Sequence, residues 1–320
     1  MRIKPRYVLE YWLLRALAGL INLLPYRLAL ALGWGVAWIS FYGVGFRVPQ
    51  ALARIQAVFP GRFSQREVRR LAWLSWRNFV FCAVEMMRIP SAKPAWIRAV
   101  VDASAAAQPI REHLQASGQG AIIATIHMGS WEMASLACLA SGLPLFSLAA
   151  SQKNPLVDAY LNRLRASSGF ETVLRTPSVL KTILRKIRAG KVLAILPDVR
   201  SPTPGLAINF LGQKMNAAGG MGLIARQTRV PIFPCVITRV GWARHRYRSF
   251  APIYPDQTLA KEADWLRMTQ AAFDIFERCI REEPEQWFWF NKRWVLDPLV
   301  APAKEPSSAA AAPSTAGGAG

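Results

Sequence analysis

The sequence predicts an α/β fold: a mostly parallel sheet flanked by helices, preceded by an N-terminal helical hairpin of membrane-associating character. Three observations predict it. Short β-branched runs alternate with helical stretches long enough to cross over a sheet, and such crossovers are what parallel neighbours require. The apolar runs have no polar alternation, as expected of strands covered on both faces. Finally, the first 47 residues hold two apolar segments separated by Pro25.

The segments within "MRIKPRYVLEYWLLRALAGLINLLPYRLALALGWGVAWISFYGVGFR" differ in character. The first carries Glu10 and Arg15, which suits an amphipathic helix lying in a bilayer interface. The second has no charge between Arg27 and Arg47, and its 19 intervening residues, at ~1.5 Å rise each, just reach across a ~30 Å hydrocarbon layer. Gly33, Gly35, Gly43 and Gly45 weaken it as an isolated helix, and no small-residue cleavage site follows. Residues 28–46 therefore either span the bilayer or lie on it, and a buried hairpin packed on the domain is the alternative. This gives an apolar anchor over 1–47.

From residue 48 to 302 we expect one domain. "REVRRLAWLSWRNFVFCAVEMMRI" has helical spacing, with Leu71, Leu74, Phe79 and Cys82 on one side. "GAIIATI", "PLFSLAA", "KVLAILP" and "PIFPCVI" read as strands. "PLVDAYLNRLRAS", "PSVLKTILRKIRAG" and "AAGGMGLIARQT" read as the helices between them, and "TLAKEADWLRMTQAAFDIFERCIREEP" as a long helix near the end. Residues 303–320, rich in Ala, Ser, Pro and Gly, cannot bury a core and read as a disordered tail.

Forty Lys and Arg against nineteen Asp and Glu give a formal charge of +21, so the partner is anionic. Nucleic acid is excluded: the basic residues are spread along the chain and no nucleic-acid-binding signature accompanies them. A hydrophobic content of 52% and twelve tryptophans favour an anionic membrane surface. Cys82, Cys138, Cys235 and Cys279 each lie in an apolar stretch without metal or disulfide spacing, and read as buried thiols.

The chemistry concentrates in "HMGSWE". His127 ends a strand-like run, Gly129 supplies the turn, Ser130 is a helix N-cap, and Glu132 falls in the first helical turn. Across such a turn a carboxylate can orient an imidazole whose other nitrogen takes a proton from a hydroxyl. The competing reading is a strand-end histidine bonded to backbone beside a solvated glutamate. No G-x-S-x-G elbow occurs, and three histidines without H-E-x-x-H give no metal site.

Several ordered blocks over roughly residues 10 to 300 resemble the bacterial lipid A biosynthesis acyltransferases, the lauroyl and myristoyl transferases of the lysophospholipid acyltransferase superfamily. They are His127 to Glu132; "KNPLVDAYLNRLRASSGF" with Arg165; "LPDVR" with Asp198 and Arg200; "NFLG" with Phe210 and Gly212; and "EEPEQWFWFNKRW". The last block has Asn291 where a histidine is common. The resemblance implies acyl transfer from an acyl-carrier-protein or coenzyme A thioester to a lipid hydroxyl, with no further cofactor. It implies a lipid A precursor as acceptor, lipopolysaccharide biosynthesis as the setting and the cytoplasmic face of the inner membrane as the location. His127 is then the general base and Glu132 its orienter. Amides near Gly129 and Arg165 would stabilise the oxyanion, Arg165 binding a phosphate instead in a second reading. Asp198 would hold Arg165 or Arg200, or cap the following loop. Arg200, Phe210 and Gly212 complete the expected substrate contacts, and the tryptophans of the last block would line an acyl groove. Two alternatives stay open: another acceptor (a glycolipid, an ornithine lipid or a lysophospholipid), or a non-catalytic peripheral membrane protein on the same scaffold.

Overall fold

A computed structural model describes residues 3–148, 152–173, 177–201 and 203–296. Helices α1 (Pro5–Leu23) and α2 (Tyr26–Trp38) form the hairpin, and α2 runs into a π-helical turn, Ile39–Gly43. Helices α3 (Val48–Val58), α4 (Gln65–Met87), α5 (Pro94–Val100) and α6 (Ser104–Ser117) follow, with the short strand β1 (Val101–Asp102) between the last two. Then strands and helices alternate: β2 (Ala121–Ala124), α7 (Trp131–Ala140), β3 (Leu145–Leu148), α8 (Pro155–Ala166), β4 (Glu171–Val173), α9 (Val179–Arg188) and β5 (Val192–Ile195). A hairpin, β6 (Leu206–Phe210) with β7 (Gln213–Ala217), leads to α10 (Gly220–Thr228), β8 (Ile232–Val240), β9 (Arg244–Ser249) and α11 (Lys261–Glu282).

The seven-stranded sheet has the order β1-β9-β8-β2-β5-β3-β4, and only β8 and β9 run antiparallel. The α/β fold and the four predicted strands are therefore present. Strand β2 shows why no alternation is visible in its sequence. Ile122 and Ala124 enter one core cluster, Ala121 and Ile123 the other, so all four positions are buried. The hairpin β6–β7 lies outside the large sheet and was not predicted. Its turn places Leu211 and Gly212 both at positive φ, the geometry of a tight two-residue loop.

Helix α4 is the strut that joins the hairpin to the sheet. Ser64 caps it through a capping box with Glu67. Its buried positions include Ser75, Asn78 and Glu85 as well as apolar residues, so it is covered on more sides than the expected stripe of Leu71, Leu74, Phe79 and Cys82. Helix α2 lies close against it at Gly33, where an added Cβ would sit 2.9 Å from Val84 Cγ2. That glycine, which weakens an isolated helix, here permits close approach. Where the hairpin meets the body, Glu85 accepts hydrogen bonds from Tyr26 (2.5 Å) and from Arg239 on β8 (2.8 and 2.9 Å) and lies 3.2 Å from His245 on β9. Burial pushes this carboxyl up, but Arg239 and His245 more than offset it and hold Glu85 well below the ordinary carboxylate range.

Among the described residues no single helix is long and apolar enough to cross a membrane, and Tyr26–Gly43 meets Val48–Val58 at an 87° bend. The outer surface of the hairpin nevertheless exposes Leu13, Leu20, Leu23, Trp12, Trp34, Trp38, Tyr42 and Val44. All four cysteines are buried and free. The tail at 303–320 lies outside the described residues.

Candidate active site

Strands β2 and β5 are parallel neighbours with Ala124 paired to Ile195. Three residues beyond each member of that pair come His127 and Asp198, so equal offsets along adjacent strands bring the two side chains together at the carboxyl end of the sheet. Asp198 Oδ1 lies 2.8 Å from His127 Nδ1. Its Oδ2 accepts from the His127 backbone N–H and from the Trp287 indole N–H, both at 2.9 Å. Because an ionised carboxylate only accepts, Nδ1 carries a proton, and the neutral form of the ring has its lone pair on Nε2. The aspartate side chain is 1% exposed and the imidazole 23%, so the carboxylate is fixed from behind while the ring meets solvent. Burial pushes the Asp198 carboxyl up, and the imidazole, the indole and the backbone N–H outweigh it, leaving it below the ordinary aspartate range.

Glu132 does not take the expected place beside His127. Ser130 caps α7 as expected, accepting from the Met133 N–H, but the following turn carries the buried Glu132 toward α8. There Arg165 grips it bidentately, Nη2 to Oε1 at 2.7 Å and Nε to Oε2 at 3.3 Å. Burial disfavours the Arg165 cation and Glu132 restores it, so its basicity ends above the ordinary arginine value. Helix α8 holds Arg165 in position. Its N-cap Asn154 accepts from the Leu156 and Val157 N–H groups and donates to Glu10 and the Tyr7 carbonyl of α1. Glu132 and Arg165 thus tie α7 to α8, and Asp198 occupies the orienter's position. Asp198 bonds to His127 and Trp287 instead of holding either expected arginine.

The other expected contacts are also redistributed. The Gly129 N–H donates to the Gln286 carbonyl at 2.8 Å. Gly129 has φ +59°, and a Cβ there would come within 2.2 Å of the Ile237 carbonyl oxygen, so this glycine serves a close backbone approach. Phe210 is fully buried against Phe273 and Trp287, and Gly212 belongs to the hairpin turn, so neither faces the imidazole. Arg200 exchanges backbone contacts with Arg293: its N–H donates to the Arg293 carbonyl at 3.2 Å, and Arg293 Nη2 donates to the Arg200 carbonyl at 2.6 Å. Trp287, Trp289 and Trp294 are buried in the core, where an acyl groove was expected of them.

The apolar surface beside the imidazole comes from other aromatic residues. Trp131 meets the His127 ring edge-on at 4.9 Å, and half-buried Phe79 stacks on half-buried Phe288 at 4.2 Å while facing Trp131 at 6.3 Å. The Phe288 N–H donates to the His127 carbonyl at 2.8 Å. Sequence reasoning missed Phe79, Trp131 and Phe288 as neighbours of the histidine, and Trp287 and Gln286 as supports of its loop. The "EQWFWF" block contained the last three. Among the described residues no group of three or more His, Cys, Asp and Glu could hold a metal ion.

A family model described as bacterial lipid A biosynthesis acyltransferase matches residues 2–295. A phosphatidylinositol mannoside acyltransferase of Mycolicibacterium smegmatis is 23% identical over 186 residues, 57% of this chain and 59% of that protein. The phosphatidylinositol mannoside acyltransferase of Mycobacterium tuberculosis strain H37Rv is 25% identical over 198 residues, with 58% and 59% covered. The chain thus spans somewhat under two thirds of the length of these relatives. A 1-acyl-sn-glycerophosphate acyltransferase structure, PlsC from Thermotoga maritima, is similar at TM-score 0.37 and 18% identity, covering 81% of this chain and 97% of that one.

Proposed function

The chain belongs to the bacterial lipid A biosynthesis acyltransferase family, and from that premise we propose that it is a membrane-associated O-acyltransferase. It moves a fatty acyl chain from an acyl-carrier-protein or coenzyme A thioester to a hydroxyl of a glycolipid. The observation that carries the reading is the His127–Asp198 pair, whose partly exposed imidazole stands beside an aromatic wall. Nε2 takes the proton of the acceptor hydroxyl as its oxygen bonds to the thioester carbonyl carbon. The tetrahedral intermediate then expels the thiolate, which recovers that proton from the imidazolium as the ester forms. The positive end of the α7 dipole, four residues beyond His127, favours the oxyanion that develops between the two steps.

Phe79, Trp131 and Phe288 supply an apolar wall for the acyl chain next to the base. The exposed aromatic and aliphatic face of the hairpin, on a chain whose net charge is +21, suits the surface of an anionic bilayer at the cytoplasmic side of the inner membrane. A lipid A precursor is the acceptor the family description favours. Phosphatidylinositol mannoside is the second reading, favoured by the relatives' names, and both acceptors present sugar hydroxyls. The test is acyl transfer from thioester donors to a panel of both acceptors in detergent–lipid micelles. Wild type transfers to one of them, and His127→Ala loses at least about 1,000-fold in kcat with its fold intact. Undiminished transfer by that variant removes His127 as the base.

A further inference from the structure

The indole of Trp287 has no part in the reaction so far described, yet it is one of three donors on the Asp198 carboxylate. Trp287 is 1% exposed, and an indole N–H so deeply buried must find an acceptor. Here it finds Oδ2, the oxygen turned away from the ring nitrogen of His127. Asp198 can swing only about its own side-chain bonds. A donor on Oδ2 opposes that swing and keeps Oδ1 on Nδ1. The indole is itself held from several directions. Phe210 of the hairpin and the rings of Trp289 and Trp294 surround it, the Ser75 hydroxyl of α4 donates to its carbonyl, and its backbone bridges Met128 next to the catalytic histidine.

From this geometry we infer that Trp287 is a positioning residue of the acyl-transfer site: its N–H fixes the rotation of Asp198 and, through it, the tautomer and direction of His127. The inference rests on the acyl-transfer reading for its kinetic consequence and on hydrogen bonding alone for its spectroscopic one. Trp289 supplies the internal control. It is equally buried, packs against Trp287 and Trp294 with Phe59 in the place that Phe210 takes for Trp287, and also spends its indole N–H on a hydrogen bond, but to the Pro284 carbonyl at 2.7 Å. Replacing either tryptophan by phenylalanine removes comparable packing and one bond. Only one of the two bonds reaches the carboxylate.

Four full-length proteins test the inference: wild type, Trp287→Phe, Trp289→Phe, and a protein carrying 3-(3-benzothienyl)alanine at position 287, which keeps the ring volume and replaces N–H by sulfur. The readouts are thermal unfolding, kcat and KM for thioester-dependent transfer, and the low-field proton resonance of the His127 Nδ1–H, assigned by its loss in His127→Ala. Both position-287 changes should lower kcat about 10- to 160-fold at a KM within about twofold, as expected for one lost hydrogen bond to a charged group. They should also displace or broaden the low-field proton. Trp289→Phe should melt earlier but keep that resonance, with kcat within about threefold of wild type. The proposal is overturned if the benzothienyl protein keeps both the resonance and the rate. It is equally overturned if neither position-287 variant folds while Trp289→Phe does, since the bond is then purely structural. The proton readout needs no substrate, so an inactive wild type would refute the acyl-transfer reading while leaving Trp287 to be judged on its own.

Discussion

Replacing Asp198 by asparagine changes one oxygen to an amide nitrogen, and the hydrogen bonds around it decide the consequence. The carboxylate accepts three donors: the His127 N–H and Trp287 N–H on Oδ2, and Nδ1–H on Oδ1. An asparagine can turn its oxygen toward the pair of fixed donors or toward the imidazole. In the first orientation its NH2 group faces Nδ1, which must then become an acceptor, and Nε2 is left carrying the proton. The ring is well bonded but cannot act as a base. In the second orientation the active tautomer survives, but the NH2 group confronts two N–H donors that are left without an acceptor. At ~1–3 kcal/mol for each buried unsatisfied group, the second orientation lies ~2–6 kcal/mol above the first. At ~1.36 kcal/mol per decade, the population able to catalyse falls by about 30-fold to about 26,000-fold. Steady-state kcat with a thioester donor measures this, and the imidazole 15N shifts report the tautomer directly. Stability supplies a second measure. The folded Asp198 carboxyl sits below its ordinary value, so it contributes stability that is present above the unfolded value of ~3.9 and lost as pH falls through the folded one. The gap in unfolding free energy between wild type and variant should therefore close at acidic pH. A variant that keeps kcat within about fivefold of wild type, with Nδ1 still protonated, refutes the whole assignment.

Other contacts in the structure predict three further outcomes. Glu132→Gln keeps part of its bonding to Arg165 and loses the ion pair, so we expect about 1–2 kcal/mol of destabilisation by denaturant titration and a kcat within about tenfold of wild type; complete loss of transfer in a folded variant would instead put Glu132 on the substrate. Glu85→Gln leaves Arg239, a fully buried cation, without its counter-charge, and should cost about 3–5 kcal/mol and lower the melting temperature sharply; an unchanged melting curve contradicts the reading of that pair as buried and coupled. Trp38→Glu combined with Val44→Glu places charges on the exposed hairpin face, at two side chains that are largely outside the core. Sedimentation with anionic vesicles should fall while circular dichroism stays the same, and undiminished binding dismisses this face as the membrane surface.

The fold was legible because its strands are short, apolar and separated by helices long enough to cross over the sheet. The four strands and the crossover helices read from the sequence lie at the expected positions. The unpredicted elements have weak local patterns. Strand β9, "RHRYRS", reads as a charged run because its arginines alternate with His245 and Tyr247, which are the residues that face inward. Hairpin β6–β7 is small and leaves the main sheet, and its turn uses Leu211 at positive φ, where a glycine pair would have announced it. The candidate site was half legible. His127 stands out as a strand-end histidine in a turn, and Arg165 and Asp198 both lie in blocks that drew attention. Their partnership did not, because adjacency of β2 and β5 joins residues 71 positions apart.

The shift from Glu132 to Asp198 arises from how a parallel sheet places side chains. Residues beyond two adjacent strands leave the sheet at the same edge, and equal offsets from a paired position keep them level. A residue in the first turn of the next helix is governed by a different constraint. Helix α7 must bury Met133, Leu136 and Ala137 against the sheet, and that requirement sets its rotation before any carboxylate is considered. Glu132 is thereby turned toward α8, where only a cation could accompany it into a buried position, and Arg165 is placed to do so by a helix whose Asn154 cap is tied to α1. The spacing from His127 to Glu132 thus holds two separate contacts: a histidine bonded to Asp198 beyond the neighbouring strand, and a glutamate that fastens the helix after the His127 turn to the hairpin side of the molecule.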